Sequence, residues 1–279
     1  EDPKSLIRYY YDTREDMFDR HSYNKGGWVV HMLRNYVGDE AFFASLNLYL
    51  IENAFQSVEI NDLRLAFEEV TGEDLNWFFD QWFELPGHPE IRVNHDYKGD
   101  TLQITVEQVQ DENTHLFRMP VFVEIFSLGE KLRFPLIIEE EYETYKFPLT
   151  KKPDYVLFDS EMQLLAEIEH SKSDKELLSQ FLLAGSYGAR LESMEGMANC
   201  KNDSILNAMV NLGLDDSFFD IRLSALSLIS DGVVKSKKYE EKLVAMLADS
   251  NSYVKAEVLS ILTEFNFKKY AEQLQLALS

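Results

Sequence analysis

A chain of 279 residues leaves room for two domains or three small ones. Its 45% hydrophobic and 13% aromatic content supplies real cores, which excludes wholesale disorder. With 49 acidic against 27 basic residues, the formal net charge of −22 repels phosphate backbones and anionic membrane surfaces, which excludes nucleic acid as a partner and otherwise reads as a solvated acidic surface.

The first segment, to about residue 86, reads as helical. Ser22-Tyr23-Asn24-Lys25-Gly26-Gly27-Trp28 precedes an amphipathic helix with Val29, Leu33, Tyr36 and Val37 on one face, and Gly38 supplies a left-handed stop. Two glycines opening a helix cost roughly 1 kcal/mol each against alanine, so the stretch reads as a place where the backbone is wanted close. Asp39 is expected to cap a second helix, Glu40 to about Glu52, carrying Phe42, Phe43, Leu46 and Leu50. Asn61 or Asp62 opens a third, with Leu63, Phe67 and Val70 stacked before Gly72. A fourth starts near Asp74; Leu75, Phe78, Phe79, Trp82 and Phe83 follow a helical period, and so wide an aromatic stripe reads as core. Pro86-Gly87-His88-Pro89 ends the helical segment.

Period two then takes over. Ile91 and Val93; Leu102, Ile104 and Val106; Val121, Val123 and Ile125; Leu132 to Ile138; Tyr145 to Leu149; and Tyr155 to Phe158 read as strands, with turns at Lys98-Gly99-Asp100 and Leu128-Gly129-Glu130. Short strands at near-regular spacing predict a small β-sandwich. From about Leu164 the pattern returns to helix, with a break at Ser171-Lys172-Ser173-Asp174. The stretches Asp216 to Ile229 and Asp249 to Leu262 match at a period of 33, placing Ile221 over Val254, Arg222 over Lys255, Leu226 over Leu259 and Leu228 over Ile261. That is the pattern of stacked helical hairpins, each covering its neighbour's apolar face. The expected division is therefore 1–88 helical, 89–170 β-sandwich and 171–279 helical repeats, a multidomain α+β chain.

Chemistry is sparse. The single cysteine, Cys200, rules out an internal disulfide and a thiolate metal site. His21, His31, His88, His95, His115 and His170 form no H-x-x-x-H or H-x-H pair, and no nucleophile elbow, P-loop or dinucleotide fingerprint occurs. Glu139-Glu140-Glu141 reads as solvent-facing. No apolar run approaches the ~20 residues of a membrane span, and no signal pattern separates cytoplasm from periplasm. Tyr23 stands out, and His21 two positions earlier is a weaker candidate. At neutral pH a phenol is a hydrogen-bond donor, able to stabilise the oxyanion of a tetrahedral intermediate. On spacing alone the residue fits that role or an ordinary buried tyrosine, which is the commoner use.

The run Tyr23 to Gly27, continued by His31-Met32-Leu33-Arg34 and Val37-Gly38-Asp39-Glu40-Ala41-Phe42, closely resembles the zinc aminopeptidases of the aminopeptidase N and leukotriene hydrolase family, which are gluzincins. Phe67-Glu68-Glu69 before Gly72, Leu75 to Trp82, and Gly87-His88-Pro89 agree in order and distance. The resemblance implies that residues 1–88 are the helical end of a thermolysin-like catalytic domain, followed by a β-sandwich and HEAT- or armadillo-like helical repeats. It implies that Tyr23 donates its hydroxyl to the tetrahedral intermediate, while Lys25 and Gly26 match motif positions that orient it. It also implies zinc as cofactor and, as substrate, a peptide or arylamide with a free N-terminus, hydrolysed at its first amide bond. The family's H-E-x-x-H helix, distal glutamate ligand and Gly-x-Met-Glu-Asn loop do not occur in these residues. With Glu1-Asp2-Pro3-Lys4 lacking a methionine, the expectation is a C-terminal fragment, inactive alone. Two further readings stand beside it: a non-catalytic scaffold of the same family, and a repeat region over 171–279 that binds peptides or proteins by itself.

Overall fold

The structure, a computed structural model, describes residues 4–278, with side chains described except at 236, 265–268 and 271–278. Glu1, Asp2 and Pro3, from which the expectation of a longer protein was drawn, and Ser279 lie outside the described residues. The fold is mixed α+β and divides into two compact units: residues 1–153 with 158–171, and residues 154–157 with 172–279.

In the first unit, a π-turn at His21–Lys25 runs directly into α1 (Gly26–Val37), followed by α2 (Asp39–Glu52), α3 (Ile60–Thr71) and α4 (Asn76–Phe79), which continues into a second π-turn at Asp80–Glu84. The aromatic stripe is core as expected: Leu75, Phe78, Phe79, Trp82 and Phe83 are all buried. Along α1, Val29, Met32 and Leu33 are buried, while Tyr36 and Val37 are only partly covered. Gly38 does stop α1 with positive φ (+81°), but its ψ of 160° is extended rather than left-handed, and it occupies the cap position of α2. Asp39 is therefore no cap. Its carboxylate instead takes two hydrogen bonds from the Arg34 guanidinium, at 2.7 and 2.8 Å. The α3 start also differs: Glu59 caps it, and the Asp62 carboxylate accepts the Glu59 N–H at 2.7 Å. Gly72 ends α3 in the left-handed region, φ +73° and ψ 10°.

The expected apolar face of α2 is buried at Phe42 and half-buried at Leu46. Ser45 is the other buried residue, while Phe43 is 55% and Leu50 65% exposed. Apolar side chains surround this helix, and burial goes to the face that meets α1 and α3. Val70 of α3 is likewise exposed.

Strands β1 (Glu90–Lys98), β2 (Thr101–Gln108), β3 (Met119–Ser127), β4 (Glu130–Ile138), β5 (Tyr142–Pro148), β6 (Tyr155–Phe158) and β7 (Glu167–His170) follow. They form a sheet of order β5-β2-β1-β7 and a second of order β4-β3-β6. Each expected strand is present, and β3 alternates buried and half-buried residues along its whole length. The β1–β2 turn puts Gly99 and Asp100 at φ +52° and +60°, and the β3–β4 turn puts Leu128 and Gly129 at +56° and +82°. Both are two-residue hairpin turns whose twist matches the strands. Sequence periodicity missed β7. Helix was expected from about Leu164, but Glu167–His170 pairs in parallel with Glu90–Val93. Its four residues are exposed or half-buried, so no apolar alternation marks them.

The helical part is docked on the second sheet by a side chain standing in for a strand. Buried Gln81 donates its amide to the Arg118 carbonyl at 2.8 Å and accepts the Arg118 N–H at 2.9 Å. Trp28 donates its indole N–H to the Gln163 carbonyl at 2.8 Å.

In the second unit, α5 (Asp174–Leu183), α6 (Tyr187–Gly196), α7 (Asp203–Leu214), α8 (Phe219–Ser230), α9 (Glu240–Met246) and α10 (Ser252–Leu278) pack around one core. Ser173 caps α5 with a reciprocal bond to Glu176, which gives the break at residues 171–174 its chemistry. The matched positions Ile221 and Val254, Leu226 and Leu259, and Leu228 and Ile261 are all buried. Arg222 and Lys255 differ in use: Arg222 is paired with Asp249 at 2.7 Å, whereas Lys255 is exposed. Buried Lys172 donates to Gln180 Oε1 at 2.7 Å and Glu192 Oε1 at 2.5 Å.

Candidate functional site

The π-turn carrying Tyr23 widens the helical ladder by one residue: the Gly26 N–H bonds to the His21 carbonyl, five residues back. Such turns are rare and recur at functional sites, because the extra residue re-aims a side chain. The effect here is to present the phenol outward. Tyr23 is 62% exposed in this chain rather than buried. Its ring meets Phe18, tilted, at a centroid distance of 6.2 Å. Among the described residues nothing hydrogen-bonds to its hydroxyl, which leaves that O–H able to donate to a group arriving from outside. An open cleft lined by Asp16, Phe18, Asp19, Arg20, His21 and Tyr23 lies in front of it.

Lys25 points the other way. Its ammonium donates to the Gly87 carbonyl oxygen at 2.9 Å, and burial pushes it below the ordinary lysine value. Gly87 has φ +92°, and a Cβ there would stand 3.0 Å from the Thr114 methyl, so this loop needs glycine. His115 is pushed down by its burial and then by the Lys25 charge. Lys25 therefore ties the Tyr23 segment to the Gly87 loop. At Gly26, a Cβ would meet nothing closer than 3.8 Å, and at Gly27 nothing within 4 Å. Among the described residues, the close backbone approach expected at the glycine pair does not occur.

Sequence reasoning missed three residues. The Arg8 guanidinium donates to Asp19 Oδ2 at 2.7 Å and to Ser22 Oγ at 3.2 Å. Asp19 Oδ1 accepts the Ser22 N–H at 2.9 Å, and Ser22 Oγ donates to the Met17 carbonyl at 2.6 Å. Arg8, and then the Ser22 N–H, hold the Asp19 carboxyl well below the usual carboxylate range. The Asp-x-x-Ser spacing ahead of a helix was the available signal, since an Asp side chain there reaches the N–H three residues on.

The histidines are dispersed. His21 lies 3.9 Å from the Asp19 carboxylate, His31 meets Asn35 at 2.9 Å, and His95 meets His170 at 2.9 Å. Among the described residues no three His, Cys, Asp or Glu side chains converge as a metal centre would require. Glu139, Glu140 and Glu141 are exposed. No helix of the described residues is long and apolar enough to cross a membrane.

Comparison with known proteins gives the following likenesses. Residues 7–82 match the family described as Peptidase family M1 domain. A leucyl aminopeptidase of Saccharolobus solfataricus is 28% identical over 185 residues, 62% of this chain and 24% of that protein. A probable aminopeptidase 1 of the same organism is 27% identical over 261 residues, 91% of this chain and 28% of that protein. The chain thus spans about a quarter of the length of these relatives. A crystal structure of Legionella pneumophila aminopeptidase A in complex with aspartic acid superimposes with a TM-score of 0.79 over 99% of this chain and 39% of that one. At 15% identity that likeness speaks for the fold alone.

Proposed function

We infer, from a chain whose residues 7–82 carry the sequence of the M1 peptidase family, that these 279 residues are part of a zinc-dependent aminopeptidase. The complete protein removes N-terminal residues from peptides, and Tyr23 donates its hydroxyl to the oxyanion of the tetrahedral intermediate. The observation that carries this reading is the exposed, outward-turned phenol on a π-turn at the motif tyrosine, beside a lysine whose own ammonium is spent on Gly87. One such donor supplies about 3 kcal/mol of transition-state stabilisation.

Zinc is implied by the family alone. The described residues do not fit a zinc centre, so no step here runs through a metal. What this chain contributes is the donor and its orientation. The 279 residues by themselves are accordingly inactive. We assign 1–88 to the helical end of a thermolysin-like catalytic domain, 89–170 to a β-sandwich and 171–279 to HEAT-like repeats. The buried matched positions of α8 and α10 support the last of these.

The test is arylamide hydrolysis by the complete protein, its Tyr23→Phe variant and the 279-residue chain supplied with zinc. Turnover by the complete protein alone supports the reading. Stoichiometric zinc binding or hydrolysis by the 279-residue chain refutes the inactivity, and full turnover by the Phe variant refutes the role of Tyr23.

A further inference from the structure

We propose that Arg8, Asp19 and Ser22 act as a positioning clamp for Tyr23, a role that rests on the reading of Tyr23 given above. The π-turn does not hold itself. It departs from the regular i to i−4 pattern at the Gly26 N–H and leads into two glycines, each weaker than alanine in a helix by about 1 kcal/mol. Among the described residues the Tyr23 side chain has only Phe18 as a ring partner. Its hydroxyl position is therefore set by the backbone at residues 22 and 23.

That backbone is fixed from the core outward. Leu6 and Ile7 donate their N–H groups to the carbonyl of buried Phe83, at 3.1 and 3.0 Å. Arg8 follows directly, and its guanidinium reaches both Asp19 and Ser22. Asp19 uses one carboxylate oxygen on Arg8 and the other on the Ser22 N–H, while its own carbonyl accepts the Tyr23 N–H at 3.2 Å. Ser22 then returns a bond to Met17. The charged pair is largely shielded, with side chains 14% and 27% exposed, so it is worth more than a surface ion pair. Arg8 and Asp19 thus each reach Ser22, the residue before Tyr23, and Asp19 also holds the Tyr23 N–H. A reacting group misplaced by 1 Å costs on the order of 10²-fold in rate, so a clamp on this turn acts on turnover through Tyr23.

The test uses the complete enzyme and the 279-residue chain. Asp19→Asn keeps the size of the side chain and removes its charge; Ser22→Ala removes two side-chain hydrogen bonds and is the second variant should the first fold poorly. Each is expected to lower kcat about 10²-fold with KM nearly unchanged. In a Tyr23→Phe background each is expected to lower kcat no further, because the clamp acts only through the phenol. A purely structural role gives additive losses, and that outcome overturns the proposal. Hydrogen exchange at the Tyr23 and Asn24 amides of the 279-residue chain is expected to rise at least about tenfold in Asp19→Asn, a change on the scale of local opening. Unchanged exchange overturns the clamp even where Tyr23→Phe lowers kcat. Unchanged kcat in Tyr23→Phe, with faster exchange in Asp19→Asn, removes the reading of Tyr23 while leaving the ordering of the turn by these residues intact.

Discussion

Lys25 reaches across 62 positions of sequence to donate its ammonium to the Gly87 carbonyl oxygen at 2.9 Å, fastening the start of α1 to the loop that leads into β1. A charged hydrogen bond of this kind contributes about 1.5–3 kcal/mol. Lys25→Met is expected to lower the unfolding free energy by that amount in urea titrations of the 279-residue chain. A change below about 0.5 kcal/mol, the usual range for a surface substitution, contradicts the anchoring role.

Tyr23→Phe separates chemistry from stability. The hydroxyl is bonded to nothing among the described residues, so its removal is expected to shift unfolding by less than about 0.5 kcal/mol. On the role proposed for Tyr23, kcat of the complete protein is expected to fall about 10²–10³-fold. Parallel melting curves and steady-state kinetics check both halves.

The Arg8–Asp19 pair carries a pH signature. Because the Asp19 carboxyl is held below its unfolded value, near 3.9, the pair contributes stability that is fully present above that value. It is lost as pH falls through the folded-state value. The stability difference between the parent chain and Asp19→Asn is therefore expected to be constant from pH 5 to 7 and to shrink below about pH 4. Denaturant titrations across that range test it, and a difference that grows on acidification contradicts the assignment.

Arg222 and Asp249 form a shielded pair inside the second unit, their side chains 11% and 10% exposed. Burial raises the Asp249 carboxyl, but the Arg222 guanidinium and the Asn251 N–H outweigh it, and the group stays below its usual range. Arg222→Met strands that charge, and an expected loss of about 3 kcal/mol follows. The double variant Arg222→Met/Asp249→Leu is expected to recover most of it. Calorimetry on both variants decides.

Gly213 sits where α7 meets α8, and a Cβ there would lie 2.4 Å from Met194 Cε and 2.8 Å from Ala225 Cβ. The methionine can swing aside, but the alanine is fixed to its helix. Overpacking costs about 1–3 kcal/mol, against about 1 kcal/mol gained in helix propensity. Gly213→Ala is thus expected to destabilise by about 1 kcal/mol. Gly27, whose added Cβ meets nothing within 4 Å, is the control that is expected to gain stability on the same change.

Elements whose partners lie close in sequence were legible. The stripe from Leu75 to Phe83 had to be core, because five apolar side chains at helical spacing have one face to bury. The hairpin turns at Gly99 and Gly129 followed from residues that accept positive φ. Where α2 buries itself was not legible. Phe43 and Leu50 are as apolar as Phe42, and only the neighbours α1 and α3 decide which face is covered. Strand β7 was invisible for a similar reason, its ladder being set by β1 77 positions earlier rather than by its own pattern.

The motif around Tyr23 shows the same division at the candidate site. Sequence alone determined that a phenol, a lysine and two glycines open a helix, and that they resemble one family, because residue types and spacing are local properties. Only the tertiary structure decided that the phenol faces outward while Lys25 turns inward to Gly87, and that Arg8 and Asp19 brace the turn between them. Those outcomes depend on groups distant in sequence, Phe83 and Gly87 among them, and a hydrogen bond to a distant partner leaves no period in the chain.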